Sequence, residues 1–304
     1  MADNISDWSS SGEWDLRRVL ELKGHHRIAV VIPARNEQET IADVVGEIMG
    51  NLGDLVDDVV VMDSLSSDAT GSIAAAEGAQ VHSVADVRPD LGVHAGKGEA
   101  LWKSLFVTDA DLLVFIDADL TDWGAHFVTG LVGPLLANPE VMLVRGFYDR
   151  VLNAGSTPSL EGGRVTELLA RPWLALHQPA LAGVIQPLAG EWAIRRSAFE
   201  QLSIPMGYGV ELSTLLDVHD RFGLDAIAQV DLGRRAHRHQ SLHDLSAMSL
   251  ELLVVAERRT ASQHRVESVE AHETVALRLP ALDRSWKVRE VATGERPPHT
   301  EVGK

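Results

Sequence analysis

The 304-residue sequence contains no cysteine. That absence excludes disulfides and thiolate metal sites, and it fits the reducing cytoplasm. Long apolar runs are missing as well. Stretches such as IAVVI and LLVFI stop after five residues, against the roughly 20 needed to cross a bilayer. No membrane span is therefore expected. The opening residues, Met1 to Ser11, lack the basic and apolar regions of a secretory signal. Positive charge is scarce, with 27 Lys and Arg against 44 Asp and Glu and a formal net charge of −17. Such a balance argues against nucleic acid held on a broad basic surface. It also means that a phosphorylated ligand must be met by a divalent metal or a local basic cluster. No internal repeat or long low-complexity segment is present.

What the sequence does contain is a regular alternation of strand and helix signals. Arg27 to Ile32 reads RIAVVI, a β-branched run suited to a buried parallel strand, which Pro33 is expected to end. The following segment, from Asn36 to Leu52, carries an Asn-based capping box (Asn36, Glu39) and apolar residues at helical spacing. Val59–Met62, Gln80–Val84 and Leu112–Ile116 read as further strands. The intervening helices run from a cap at Ser67 or Asp68 to Ala76, and from Lys97 to Leu105. This spacing implies βαβ units and a mainly parallel sheet with helices on both faces. The expected organisation is an N-terminal arm (1–25), an α/β ligand-binding half (26–150), a second half of the same domain (151–260) and a partly flexible C-terminal extension (261–304).

Ligands of such sheets bind beyond the carboxyl ends of the strands. Pro33-Ala34-Arg35-Asn36-Glu37 follows the first strand, Asp63-Ser64 the second and Asp117-Ala118-Asp119 the fourth. None is the G-x-G-x-x-G turn of a dinucleotide site. Carboxylates at two strand ends suit ribose hydroxyls and a hard divalent cation, although a turn aspartate capping the next helix gives the same pattern. Asp109-Ala110-Asp111 precedes its strand and is read as a solvated turn at the wrong sheet edge. Gly96-Lys97-Gly98 offers a point charge between two glycines that let a ligand come close; an ordinary loop with a surface lysine is the alternative. Gly162-Gly163-Arg164-Val165-Thr166 opens a helical run and suits an anion at a helix N-terminus, or simply a hinge. Gly207-Tyr208-Gly209-Val210-Glu211 and Arg235-Ala236-His237-Arg238-His239 complete the candidates, the second as an anion-facing loop or a solvated turn.

In order along residues 28 to 250, the stretches IPARNE, VVVMDSLSSDAT, HAGKGEALWKSL, VFIDADL, GGRVTELLARP, QPLAGEWA, GYGVEL and LDAIAQVDLGRRAHRH resemble the actinobacterial glucosyl-3-phosphoglycerate synthases. Those enzymes are retaining glycosyltransferases of the GT-A fold. The resemblance implies glucose transfer from UDP-glucose to the 2-hydroxyl of 3-phosphoglycerate with a Mg2+ or Mn2+ cofactor, and a homodimer. It assigns Pro33, Ala34, Arg35, Asn36, Glu37 and Ser64 to the uridine side, and Lys97 and Arg235 to the diphosphate. Asp117 and Ala118 line the donor site, Tyr208 and Glu211 face the glucose, and Asp119 and His237 bind the metal. Gly163, Arg164, Val165, Thr166 and His239 serve the acceptor. Asp119, Glu211 and Lys97 are the residues it places in catalysis.

Four departures stand out: Leu65 for a glycine, Ala118 for a serine, Glu161 for a glycine and His239 for an asparagine. Three other readings share parts of the pattern. A polyprenyl-phosphate glycosyltransferase would need a membrane-facing segment, and a nucleotidyltransferase a Gly-rich basic loop after the first strand. A non-catalytic nucleotide-sugar sensor would keep the uridine site and release no UDP.

Overall fold

The computed structural model of the chain describes residues 5, 7–151, 163–236, 242–264, 274–280 and 286–303. Its centre is an eight-stranded sheet. The strands are β1 (Ser9–Ser10), β2 (Ile28–Ala34), β3 (Asp58–Asp63), β4 (Gln80–Ser83), β5 (Leu112–Phe115), β6 (Leu143–Val151), β7 (Trp192–Arg195) and, after the short β8 (Ile204–Pro205) outside this sheet, β9 (Ile227–Ala236). Their order is β1-β9-β6-β7-β5-β2-β3-β4. All pairings are parallel except those of β7, which runs antiparallel to both β5 and β6. The mainly parallel α/β expectation thus holds, with one reversed strand that the sequence pattern did not signal.

Successive side chains of a strand point to opposite faces, and β2 shows what this organises. Ile28, Val30 and Ile32 pack with α1 (Leu16–Lys23), α2 (Ile41–Leu52), α3 (Thr70–Ala76) and, beyond α4 (Lys97–Ser104), with α5 (His126–Ala137). Ala29 and Val31 face the other way. They join α4, α6 (Arg171–His177), α7 (Arg196–Phe199), α8 (Val210–Phe222) and α9 (Leu242–His264). The sheet is therefore buried on both sides, which is why its strands read as continuous apolar runs.

Two local expectations need correcting, and the alternative left open at α3 is narrowed. β2 does not stop at Pro33 but runs to Ala34, with Pro33 opposite Met62. Val31 faces β5, whose pairing ends there, with Ile116 N donating to Val31 O at 3.2 Å. Pro33, two residues on, has its missing N–H on that unpaired side, so the ladder loses nothing. Asn36 does not cap α2. It adopts a left-handed φ of 57°, and its side-chain oxygen accepts from Ser67 N at 2.8 Å, lacing the turn after β2 to the turn after β3. The helix begins at Ile41, with Ile41 N bonded to Glu37 O at 3.0 Å. At α3 it is Asp68, not Ser67, whose carboxylate accepts from the first turn, from Thr70 N at 3.0 Å.

Described segments from both the N-terminal and the C-terminal parts pack on the sheet body. β1 pairs with β9, and Trp14 packs so closely on α5 that a Cβ at Gly133 would overlap its ring. Near the other end, β10 (Thr274–Pro280) and β11 (Trp286–Ala292) form an antiparallel hairpin. β12 (Glu295–Arg296) then pairs with β8, and α10 (His299–Val302) follows. Arg296 reaches Glu99 of α4 at 2.7 Å, and Trp102 Nε1 donates to Pro297 O at 3.0 Å.

Candidate active site

Five elements deliver charged side chains to one place beyond the carboxyl ends of the central strands. Lys97 opens α4, Asp117 and Asp119 follow β5, Glu191 precedes β7, Glu211 lies in the first turn of α8, and Arg235 stands near the end of β9. From the buried end outward the charges alternate. Glu191 Oε1 lies 2.7 Å from Arg235 Nη1, and Arg235 Nη2 lies 3.3 Å from Asp117. Asp117 is 2.6 Å from Lys97 Nζ, which is 2.8 Å from Glu211. Asp119 joins from the side, 3.2 Å from Arg235 Nη2, and its side chain stays 32% exposed. Glu191 is fully buried.

A third cation backs the row. Arg145 of β6, 1% exposed, stacks over Trp192 with 5.1 Å to the ring centroid and donates to the backbone carbonyl of Glu211. Three cations (Lys97, Arg145, Arg235) thus face four carboxylates (Asp117, Asp119, Glu191, Glu211). Burial displaces their ionisations in ways that follow from their neighbours. It pushes Glu191 up to about 7 against the pull of Arg235, with Asp117 adding to the rise. It also raises Asp117, but Lys97 and Arg235 outweigh that and hold this carboxyl well below the usual range. Lys97 rises despite burial because two carboxylates surround it. Arg145, with less to offset its desolvation, falls to about 10 and remains charged at neutral pH.

A one-residue slip in β9 aims Arg235. Phe147 pairs with Asp231, but Asp149 pairs with Arg234, so β9 holds an extra residue at Leu232-Gly233. Gly233 takes φ 83°, and its N–H is held by Asp231 Oδ1 at 2.8 Å. Such a bulge reverses the face on which later residues fall. Arg235 therefore lands on the side of Leu232 and Tyr148, stacked on the Tyr148 ring and donating to its hydroxyl at 2.7 Å.

The glycines of the two Gly-rich motifs serve each other. Gly98 N donates to Gly207 O at 3.1 Å and Glu99 N to Met206 O at 3.0 Å, so carbonyls of the 205–207 loop take the first N–H groups of α4. A Cβ at Gly98 would overlap Pro205 O. The expectation that these glycines admit a ligand is thus corrected: they admit another loop of the same chain, and only the Lys97 side chain turns toward the charge row. Gly190 acts similarly, since a Cβ there would overlap the Asp117 carboxylate.

The remaining expected residues fall around this centre. Ala34 and Ser64 meet where β2 and β3 end, with Ser64 N donating to Ala34 O at 2.8 Å. Pro33 precedes them, Arg35 and Asn36 are exposed in the adjoining turn, and Glu37 N is held by Thr70 Oγ1 at 2.8 Å. Ala118 is buried between the two aspartates, and Tyr208 is half exposed, its N–H bonded to Glu251 at 2.6 Å. Gly163 precedes a helix over 164–177 that contains a π stretch at Thr166–Ala170. Arg164 is exposed in its first turn, whereas Val165 and Thr166 are buried. His237 and His239 lie outside the described residues, as does Glu161. Leu65, where the resemblance expects glycine, takes a left-handed φ of 63° and is 43% exposed. Asp109 and Asp111 sit at the opposite edge of the sheet, paired with the Arg27 side chain and Arg27 N.

Sequence reasoning assigned no role to Arg145, Tyr148 or Glu191. An arginine inside the apolar run VMLVRGFY, and an acid directly before the apolar WAI, were the available signals. Among the described residues no three His, Asp or Glu side chains converge on one point. Asp119 is the most accessible carboxylate there, and its described partner is a shared arginine, a donor suited to a hard cation that keeps water or phosphate ligands. No described helix is long and apolar enough to cross a membrane.

This arrangement is that of a nucleotide-sugar glycosyltransferase, and residues 29–203 match the model of glycosyl transferase family 2. Curated relatives narrow the class. Over 250 residues the chain is 46% identical to the glucosyl-3-phosphoglycerate synthase of Mycobacterium tuberculosis, covering 81% of this chain and 77% of that one. It is 38% identical to the Petrotoga mobilis synthase over 310 residues, covering 98% and 95%. The M. tuberculosis enzyme in complex with Mn2+, UDP and glucosyl-3-phosphoglycerate superposes with a TM-score of 0.85 at 40% identity, covering 99% of each chain. The complex with Mn2+, UDP-glucose and phosphoglyceric acid gives 0.83 at 40% identity, covering 95% and 96%. The chain belongs to the glucosyl-3-phosphoglycerate synthase family.

Proposed function

We propose that this protein transfers glucose from UDP-glucose to the 2-hydroxyl of 3-phosphoglycerate with retention, giving glucosyl-3-phosphoglycerate. The observation that carries this reading is the charge row at the strand ends, in a chain 46% identical to a synthase of that name. Pro33, Ala34, Arg35, Asn36, Glu37 and Ser64 form the uridine side, and Lys97 and Arg235 face the diphosphate. Asp117 and Ala118 line the donor site beside them. Asp119 and His237 hold a divalent ion, Mg2+ or Mn2+, whose chemistry is to neutralise charge on the departing diphosphate. Gly163, Arg164, Val165, Thr166 and His239 receive the acceptor, the guanidinium and the helix N-terminus suiting its phosphate. The protein works in the cytoplasm as a homodimer.

Glu211 and Tyr208 flank the sugar in this reading. One Glu211 oxygen is taken by Lys97 at 2.8 Å and the side chain is 7% exposed, an arrangement that favours orienting the sugar over attacking it. The acceptor hydroxyl then attacks from the face the diphosphate leaves, and a phosphate oxygen takes its proton. Lys97 and Arg235 stabilise the negative charge on that phosphate as it departs. UDP release measured with and without 3-phosphoglycerate, with the anomeric configuration of the product read by NMR, is the test. Release that does not depend on the acceptor, or a β-linked product, would refute the reading.

A further inference from the structure

We propose that Glu191 is a positioning residue of the transfer reaction, gripping the Arg235 guanidinium from the buried side so that Arg235 shares its charge between Glu191 and the strand-end aspartates rather than closing on Asp119. The proposal rests on the reading of Arg235 and Asp119 as donor-diphosphate and metal groups.

Three observations carry it. Glu191 is fully buried, yet the cation its carboxylate pairs with is the one arginine that also touches Asp117 and Asp119, with Tyr148 beside it. Its backbone is fixed in turn, with Gly146 N donating to Glu191 O at 3.0 Å and the glycine before it leaving room for Asp117. The guanidinium is thus held on two sides. Nη1 lies against Glu191 and the Tyr148 hydroxyl, each at 2.7 Å, and Nη2 against the aspartates at 3.2 and 3.3 Å. A buried ion pair is a poor source of stability compared with apolar packing, so stability alone gives little reason for an acid here. Remove the Glu191 charge and the whole attraction of Arg235 falls on Asp117 and Asp119. Arg235 then competes with a metal for Asp119, and is drawn away from the phosphate it should meet.

The experiment is a double-mutant cycle of Glu191→Gln and Arg235→Lys, with Gln keeping the volume and an acceptor oxygen. For each variant, at about pH 8, where Glu191 carries its charge, manganese and UDP binding are measured by calorimetry, and kcat and KM with UDP-glucose and 3-phosphoglycerate. Glu191→Gln is expected to weaken manganese binding about tenfold and to lower kcat about 10- to 100-fold, the range for a charge-assisted hydrogen bond. KM for the acceptor should stay within about threefold, and UDP stoichiometry should remain that of wild type. In the Arg235→Lys background, where one ammonium cannot be held on two sides, the same change should cost less than about threefold. Equal losses in both backgrounds would overturn the proposal, as would a wild-type manganese affinity. So would a drop in UDP stoichiometry that accounts for the lost activity, because Glu191 would then be serving only the fold. A wild-type enzyme that formed no product would overturn the substrate reading instead, and the calorimetric cycle would still decide the role of Glu191.

Discussion

Gly98→Ala tests the union of the two Gly-rich motifs. In a helix, alanine is ordinarily better than glycine by about 0.8–1 kcal/mol, and Gly98 lies inside α4. Here the added Cβ would overlap Pro205 O and fall 2.9 Å from the Pro205 carbonyl carbon. The loop must move out, weakening the bonds from Gly98 N to Gly207 O and from Glu99 N to Met206 O. Each is worth about 0.5–1.5 kcal/mol net, and overpacking adds about 1–3 kcal/mol. Less the helix preference, the expected loss is about 1–5 kcal/mol. Function should suffer beyond stability, because Lys97 precedes Gly98 and Tyr208 and Glu211 follow the displaced loop. KM for UDP-glucose should rise about tenfold or more in protein shown by circular dichroism to be folded, as expected when one charge-assisted hydrogen bond to the donor is broken. The control is Gly50→Ala in α2, where a Cβ meets nothing within 4 Å; it should raise Tm. If Gly98→Ala melts at or above wild type as Gly50→Ala does, the 205–207 loop is not seated on α4 and the reasoning fails.

Asp119→Ala should cut the transfer rate by orders of magnitude and weaken manganese binding with little change in Tm, whereas Asp109→Ala, at the far sheet edge, should be near neutral; equal rate losses would contradict the strand-end assignment. Arg164→Ala should raise KM for 3-phosphoglycerate about 10- to 150-fold, the worth of a charge-assisted bond of about 1.5–3 kcal/mol, and calorimetry should show UDP binding unchanged. Leu65→Gly removes a left-handed leucine costing about 1–2 kcal/mol at the expense of about 0.5–1 kcal/mol of glycine entropy, so Tm should rise by a few degrees; a fall would mean that the exposed side chain makes an interaction worth more than the strain. Because Glu191 is raised from 4.5 to about 7 in the folded state, its contribution is fully present below about pH 4.5 and is lost as pH rises to about 7. Tm of wild type should therefore drop relative to Glu191→Gln across that window, and parallel profiles would show that this carboxyl titrates elsewhere.

How much of this was legible depended on whether the cause was local. LLVFI followed by Asp117 announced a strand and its ligand edge, because burial on both faces writes itself as an apolar run and the turn as a polar break. The contrast between Asp109 and Asp117, the same pattern on opposite sides of one strand, was likewise settled by order along the chain. What could not be read were interactions between segments far apart. Asn36 satisfies a capping rule on paper, but the loop of Ser67 offers its side chain a partner, and α2 starts five residues later. Gly96 and Gly98 looked like a ligand cradle because nothing local shows that residues 205–207 lie across them. Arg235 owes its aim to a bulge at Gly233, and a slip of one residue leaves no mark in hydrophobic periodicity.

The same long-range logic explains how a chain of net charge −17 can hold a diphosphate. A lone buried cation would be costly, and each one here is held by carboxylates or, for Arg145, by a carbonyl and an indole ring. Above about pH 7, where Glu191 too is ionised, the three cations and four carboxylates leave the site one negative charge in excess. That excess sits on Asp119, the most exposed of the four side chains. A divalent ion there, as proposed, would turn the local sum from one negative charge to one positive charge, the sign a diphosphate requires, while the buried ion pairs stay in place. In the proposed reading, metal dependence is the condition on which the acidic site accepts an anionic donor, and Asp119, the carboxylate proposed to meet the ion, is the one the buried row leaves over.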